Sequence, residues 1–121
     1  GRPAVEDPEV RHRLAGFRIE MEAMRCKAWR DLTAAIQGKS PGVEPSVTKL
    51  RTTWLNHRMA ETALEWLGPY GPLYRGSKHV ADGAFWPYEF MFSLGMIIGG
   101  GTSQIQKNII AQRGLGLPRG T

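Results

Sequence analysis

Cysteine is nearly absent: Cys26 is the single one in 121 residues, so no internal disulfide can form, and the sequence displays no base that would make this thiol a nucleophile. It falls inside a helical pattern and reads as a partly buried small hydrophobe. Histidine is sparse too. His12, His57 and His79 lie on three separate segments with no paired carboxylate or second histidine at ligand spacing, so no metal site is expected and all three read as surface or edge residues. Ser40, Ser46 and Ser77 lack the glycine frame of a nucleophile elbow, which leaves capping and turn roles. No long apolar span, signal peptide or lipidation motif is present, so a soluble cytoplasmic protein is the default, with the reservation that a missing upstream segment would hide a targeting signal. There is no internal repeat and no low-complexity segment.

A run of charge of one sign is missing as well. The net charge is +5 and the isoelectric point about 9.8. Yet Arg2, Arg11, Arg13, Arg18, Arg25, Lys27 and Arg30 are interleaved with Glu6, Asp7, Glu9, Glu20, Glu22 and Asp31. This is a mixed, solvated helix face rather than the basic stripe of a nucleic-acid module.

What the chain does have is apolar spacing of three and four. Asp7 and Pro8 start a helix, with proline where its missing N–H costs nothing, and Val10, Leu14, Phe17, Met21, Met24 and Ala28 continue it to about Gln37 and Gly38. Lys39 to Pro45 is a loop on composition and Ser46 a candidate N-cap. A second helix is predicted from about Val47 to Leu67, with Val47, Leu50, Trp54, Leu55, Met59, Ala63, Leu64 and Leu67 as its apolar stripe and Gly68 and Pro69 at its end. Tyr70 to Gly83 is an irregular connection, long enough to suspect a ligand-facing loop. Pro87 to Ile98 is apolar on every side and is read as a buried helix on length. Trp29, Trp54, Trp66 and Trp86 lie in helices or at a helix entry, which favours core or subunit interface over a stacking platform. The expected class is all-α, a four-helix up-down bundle in which the two long helices are antiparallel neighbours, forming a single domain over 1–121.

The last twenty residues are the most specific. Gly100 to Arg119 read GGTSQIQKNIIAQRGLGLPR. Gly99, Gly100 and Gly101 permit a tight turn, and Thr102 or Ser103 can cap a helix whose free N–H groups face a polar or anionic ligand. Ile105, Ile109 and Ile110 form its inner side, Gly114 offers a left-handed cap near Arg113, and Pro118 stops it. Capping alone explains the same residues, so on physics alone a ligand role and a plain helix start both stand.

This string closely resembles the C-terminal signature of the acyl-CoA dehydrogenases, flavoenzymes that desaturate acyl-CoA thioesters between the α and β carbons. Ala63 to Gly71, ALEWLGPYG, resembles the glycine-rich turn with which that family reaches a neighbouring subunit's flavin. The resemblance implies the C-terminal helical domain of a larger three-domain protein, with FAD as cofactor, an acyl-CoA substrate, an electron-transfer acceptor and a homo- or hetero-oligomer. It implies cofactor-binding roles for Thr102 and Gln104 at the flavin, and for Glu65, Trp66, Leu67 and Gly68 at its adenine-dinucleotide part. Glu65 stands where glutamine is usual and Pro69 where a second glycine is common. Many members carry their catalytic glutamate where this chain has Gly100, and glycine takes no proton. Either the base lies upstream of this chain, on an earlier helix as in a second group of the family, or the chain is a non-catalytic helical partner. The fragment alone is not expected to be active.

Overall fold

The computed structural model describes residues 3–119, and among these the regular structure is helical throughout. The chain is all-α with four α-helices, and it divides into two compact units, one ending at Pro41 and the other beginning at Gly42.

In the first unit a 3-10 turn, Ala4–Glu6, leads into α1, Pro8–Ile36. Asp7 caps α1 by accepting a hydrogen bond from the Glu9 backbone N–H at 2.8 Å, and Pro8 occupies the first turn. Ion pairs at helical spacing run along the surface: Arg13 with Glu9, Arg18 and Arg25 with Glu22, and Lys27 with Asp31. Val10, Phe17 and Met24 are half-buried, whereas Leu14, Met21 and Ala28 of the expected stripe are exposed. Cys26 is exposed, not partly buried as its setting in the pattern implied. A helix that forms its unit almost alone has no second surface there to bury a stripe against.

The second unit holds α2 (Glu44–Leu67), α3 (Phe85–Ile98) and α4 (Ser103–Ile109), with α3 and α4 both packed on α2. Helix α2 starts two residues before the expected Ser46 cap. Val43 is the capping residue, Glu44 and Pro45 form the first turn, and Ser46 lies buried inside the helix. Its buried residues are Ser46, Thr53 and Ala60 at heptad spacing, with Leu55 and Thr62. Of the expected stripe Leu55 is buried, Val47, Leu50, Met59, Ala63, Leu64 and Leu67 are half-buried and Trp54 is exposed, so small and polar side chains share the inward face with that stripe. Trp54 and Trp66 are exposed over two-fifths of their surface and Trp29 over more. These tryptophans are not core.

Beyond α2 a 3-10 turn, Gly68–Tyr70, opens an irregular stretch as expected. It closes with Asp82, Gly83 and Ala84, which take left-handed φ values of 49°, 59° and 67° in succession. That reversal lets α3 begin at Phe85, two residues earlier than expected. After α4 the chain widens into a π-helical turn, Ile110–Gly114, in which Leu115 N–H reaches Ile110 O at 3.1 Å. The left-handed glycine after this helix is Gly116, at φ 68°, rather than Gly114. A Cβ on Gly114 would come to 3.0 Å from the Val43 side chain, which would have to give by a few tenths of an ångström to admit it. Ile105 also points outward, half exposed; the buried face of α4 is Ser103 and Gln106.

Candidate functional site

The glycine triplet forms the tight turn its composition demanded. Gly99 ends α3 by donating its N–H to Gly95 O at 2.7 Å, and Gly100 and Gly101 follow at φ 66° and 97°, conformations that L side chains avoid. Thr102 then takes an extended conformation as the cap of α4. Its Oγ1 accepts from Ile105 N–H at 3.4 Å and its carbonyl from Gln106 N–H at 2.9 Å.

Side chains from α2 and α4 hold this turn. The Lys49 ammonium donates to Ile97 O at 2.7 Å and to Gly101 O at 2.6 Å, and the Gln106 amide donates to Gly100 O at 2.8 Å. A cation on the last carbonyls of α3 is favoured by the helix dipole as well as by the short charge-assisted bonds. One turn along α2, Trp54 Nε1 donates to Ser103 Oγ at 2.8 Å. Farther on, His57 stacks on Phe90 with ring centroids 5.0 Å apart and bonds Ser93 Oγ at 2.9 Å. His57 is thus half-buried in the helix seam, not a surface or edge residue; His12 and His79 are exposed.

Lys49, Ser93 and Gln106 had not been singled out in the sequence. The available signal was spacing: Lys49, Thr53 and His57 recur every four residues along α2, an unusual polar line on a helix whose partner is almost wholly apolar.

Of the expected flavin-facing residues, Thr102 is half-buried at the turn and Gln104 extends exposed from the first turn of α4. Glu65, Trp66 and Gly68 are exposed, and Leu67 half-buried, at the far end of α2. Gly68 holds φ 55° and ψ −128°, a glycine conformation, and its N–H caps Glu65 O. Gly71 approaches the helix so closely that a Cβ would lie 2.6 Å from Leu64 O. Lys49 and Leu67 are separated along α2 by roughly 27 Å at its regular rise. Within one chain, therefore, the two groups of expected cofactor residues are not brought together. Beside the glycine turn runs an open apolar groove of about 410 Å³ lined by Lys49, Thr53, Phe92, Gly95, Met96 and Gly99.

The donor set fits a neutral, hydrogen-bonding ligand at Thr102 and Gln104: one hydroxyl and one amide at the rim of the turn. At the other end the Glu65 carboxylate is ill suited to a pyrophosphate, while the glycine turn after it fits a close backbone approach. Among the described residues, no three His, Cys, Asp or Glu side chains gather where a metal could sit, and no helix is long and apolar enough to cross a membrane.

The family model for the C-terminal domain of acyl-CoA dehydrogenases matches residues 1–115, and the chain belongs to the acyl-CoA dehydrogenase family as that domain. It is 37% identical over 123 residues to the acyl-CoA dehydrogenase IpdE1 of Mycobacterium tuberculosis, covering 96% of this chain and 29% of that protein. It is likewise 37% identical to the acyl-CoA dehydrogenase IpdE1 of Mycolicibacterium smegmatis, over 96% of this chain and 27% of that one. The chain thus spans less than a third of the curated relatives it matches. Among solved structures it is similar to the Tcur3481-Tcur3483 steroid ACAD, with TM-score 0.83 and 26% identity over 96% of this chain and 30% of that one. It is also similar to the ChsE4-ChsE5 complex of Mycobacterium tuberculosis, with TM-score 0.81 and 27% identity over 97% of this chain and 30% of that chain.

Proposed function

We propose that this chain is the C-terminal part of an FAD-dependent acyl-CoA dehydrogenase, in which the Gly99–Gly101 turn presents Thr102 and Gln104 to the flavin. The observation that carries the proposal is the turn itself. Its two left-handed glycines and its bonds to Lys49 and Gln106 set Thr102 and Gln104 at its rim. Bound FAD supplies the hydride acceptor for the β hydrogen. This chain's own contribution is binding and orientation: the Thr102 hydroxyl and the Gln104 amide hydrogen-bond the cofactor. No proton acceptor for the α carbon is assigned here. The side chains bonded to the turn belong to Lys49 and Gln106, neither a carboxylate, and in this reading the base comes from an earlier helix of the full-length protein, as in the second group of the family. As the resemblance implies, Glu65, Trp66, Leu67 and Gly68 are assigned to the adenine-dinucleotide part of a flavin in a neighbouring subunit. An oligomer follows from this assignment. The substrate is an acyl-CoA, electrons pass on to a separate acceptor, and the similarity to a protein described as a steroid ACAD makes a steroid-bearing acyl-CoA the first to assay beside straight-chain ones.

A second reading, a non-catalytic helical partner of a catalytic subunit, draws on the glycine at position 100 and on the relative solved as the ChsE4-ChsE5 complex. One experiment bears on both. In the full-length protein, Thr102→Ala with Gln104→Ala should weaken FAD binding by one to two decades, about 1–3 kcal/mol, read as flavin absorbance retained after gel filtration. Full retention in the double variant would make the turn a plain helix start. A full-length protein that is colourless and takes up no FAD would favour the partner-subunit reading.

A further inference from the structure

Lys49 is a cation on a helix face that is otherwise small, polar and neutral, and it reaches across to two carbonyls that no helix ladder serves. Ile97 O belongs to the open last turn of α3, and Gly101 O to the turn after it. Gly100 O, between them in sequence, is taken by Gln106. In a trans peptide the C=O and N–H point to opposite sides. Because Gly101 O points to Lys49, the Thr102 N–H in the same peptide unit points away from it. Because Gly100 O points to the Gln106 amide, the Gly101 N–H points away from that amide. Two side chains therefore fix the rotation of two consecutive peptide planes, in a turn whose glycines on their own are the freest residues in the chain.

We propose that Lys49 is a positioning residue: with Gln106 it sets the peptide planes of Gly100 and Gly101, and so the place of Thr102, without touching the ligand. The inference rests on the flavin reading of Thr102 and deepens it. It assigns to α2 two different duties at its two ends, Lys49 organising the turn of its own chain and the Leu67–Gly71 segment remaining separate from it. Lys49 is half-buried and lines the apolar groove beside the turn, so its hydrogen bonds are only partly in competition with water.

The test uses the full-length protein as Lys49→Met, Lys49→Arg and Thr102→Ala, reading three quantities: helix content by circular dichroism, amide hydrogen exchange over residues 99–102, and FAD dissociation with the visible spectrum of the bound flavin. Lys49→Met is expected to keep its helix content, to speed exchange in the turn by about tenfold, and to raise the FAD dissociation constant by a similar factor with the flavin spectrum moving toward that of free FAD. Lys49→Arg, which keeps the charge and several donors, is expected between Met and the parent. If Lys49→Met does not fold, Lys49→Gln replaces it with the same expected direction. Unchanged exchange and an unchanged flavin spectrum in the Met or Gln variant, while Thr102→Ala still weakens FAD, would overturn the positioning role and leave the flavin reading standing. Faster exchange in the turn with no effect on FAD from either Lys49→Met or Thr102→Ala would overturn both. An Arg variant no better than Met would also count against it, since charge and donors would then not be what matters.

Discussion

His57 donates to Ser93, and not the reverse. Ser93 Oγ is fully buried and gives its one proton to Phe90 O at 2.7 Å, so at the 2.9 Å contact with His57 it is the acceptor and Nδ1 of the imidazole carries the hydrogen. A serine nucleophile needs the opposite polarity, with the ring nitrogen accepting the hydroxyl proton. This pair is a structural tie between α2 and α3.

Removing the acceptor should therefore cost stability and no chemistry. Ser93→Ala leaves the His57 N–H without its partner in a half-buried seam, for an expected loss of about 1–3 kcal/mol by denaturant unfolding. Nitrogen NMR should show His57 protonated at Nδ1 in the neutral form, and Ser93 should resist serine-directed phosphonates. Labelling at Ser93 would contradict the assignment.

The two left-handed glycines should respond differently to substitution. At Gly100 a methyl group meets nothing within 4 Å, so Gly100→Ala should cost only the φ strain, about 1 kcal/mol. At Gly101 the new Cβ would lie 2.9 Å from Gln106 Nε2, the very group that serves Gly100 O, so Gly101→Ala should cost clearly more in thermal unfolding. Under the proposed function, Gly100→Glu, which puts a carboxylate where the resemblance places the catalytic glutamate, should slow turnover of the full-length protein rather than speed it, if an upstream base already serves. Faster turnover in the Gly100→Glu variant would sink the upstream assignment.

On α1, Glu22 lies between Arg18 and Arg25, each with a guanidinium nitrogen 2.7 Å from its carboxylate. The hydrogen bond from Arg25, with the positive charges of Arg25 and Arg18, holds the Glu22 carboxyl below the ordinary glutamate value. A lowered folded-state pKa stabilises above the unfolded pKa, near 4.3, and that stabilisation is lost as the pH falls through the folded value. Proton NMR should find Glu22 titrating below 4.3, the difference shrinking in about 1 M salt because the pair is surface-exposed. A titration at or above 4.3 would remove the effect.

By itself, the chain should self-associate. Phe85, Met91, Phe92, Leu94, Met96 and Ile98 of α3 are each exposed over two-fifths or more of their surface, and among the described residues the buried apolar core amounts to Leu55, Ala60 and Ala84. Light scattering should show mass rising with concentration, and Met91→Glu with Ile98→Lys should lower it without loss of helix content. A strictly monomeric chain at high concentration would speak against uncovered apolar surface.

Helix type and extent were legible because they depend on local periodicity and on punctuation that acts within a few residues: Asp7 with Pro8, the Gly68–Pro69 stop, the glycine triplet. The faces were less so. The apolar stripe on α2 placed Leu55 correctly in the interior, but its Trp54 is exposed, while Ser46, Thr53 and Ala60, small or polar and outside the stripe, are buried beside a partner helix that is apolar on all sides. Lys49 illustrates the same limit. That a lysine reaches two carbonyls some fifty positions later is a property of packing, and a lysine mid-helix reads as solvated until its neighbours are in place. The turn around Gly100 was legible as a turn, whereas its side-chain supports were not.

A helix like α3, apolar all round, carries no instruction about which way to face, since one leucine or phenylalanine packs much as another does. The seam on α2 supplies the missing instruction. Lys49 meets Ile97 and His57 meets Ser93, so the pairs run in opposite chain directions and define an antiparallel fit. Sliding α3 by one turn, about 5.4 Å, would part both pairs at once and strand polar groups in an apolar surround. The seam therefore works as a key in a lock: it contributes less to holding the helices together than to admitting a single register, much as one polar position fixes the alignment of a coiled coil.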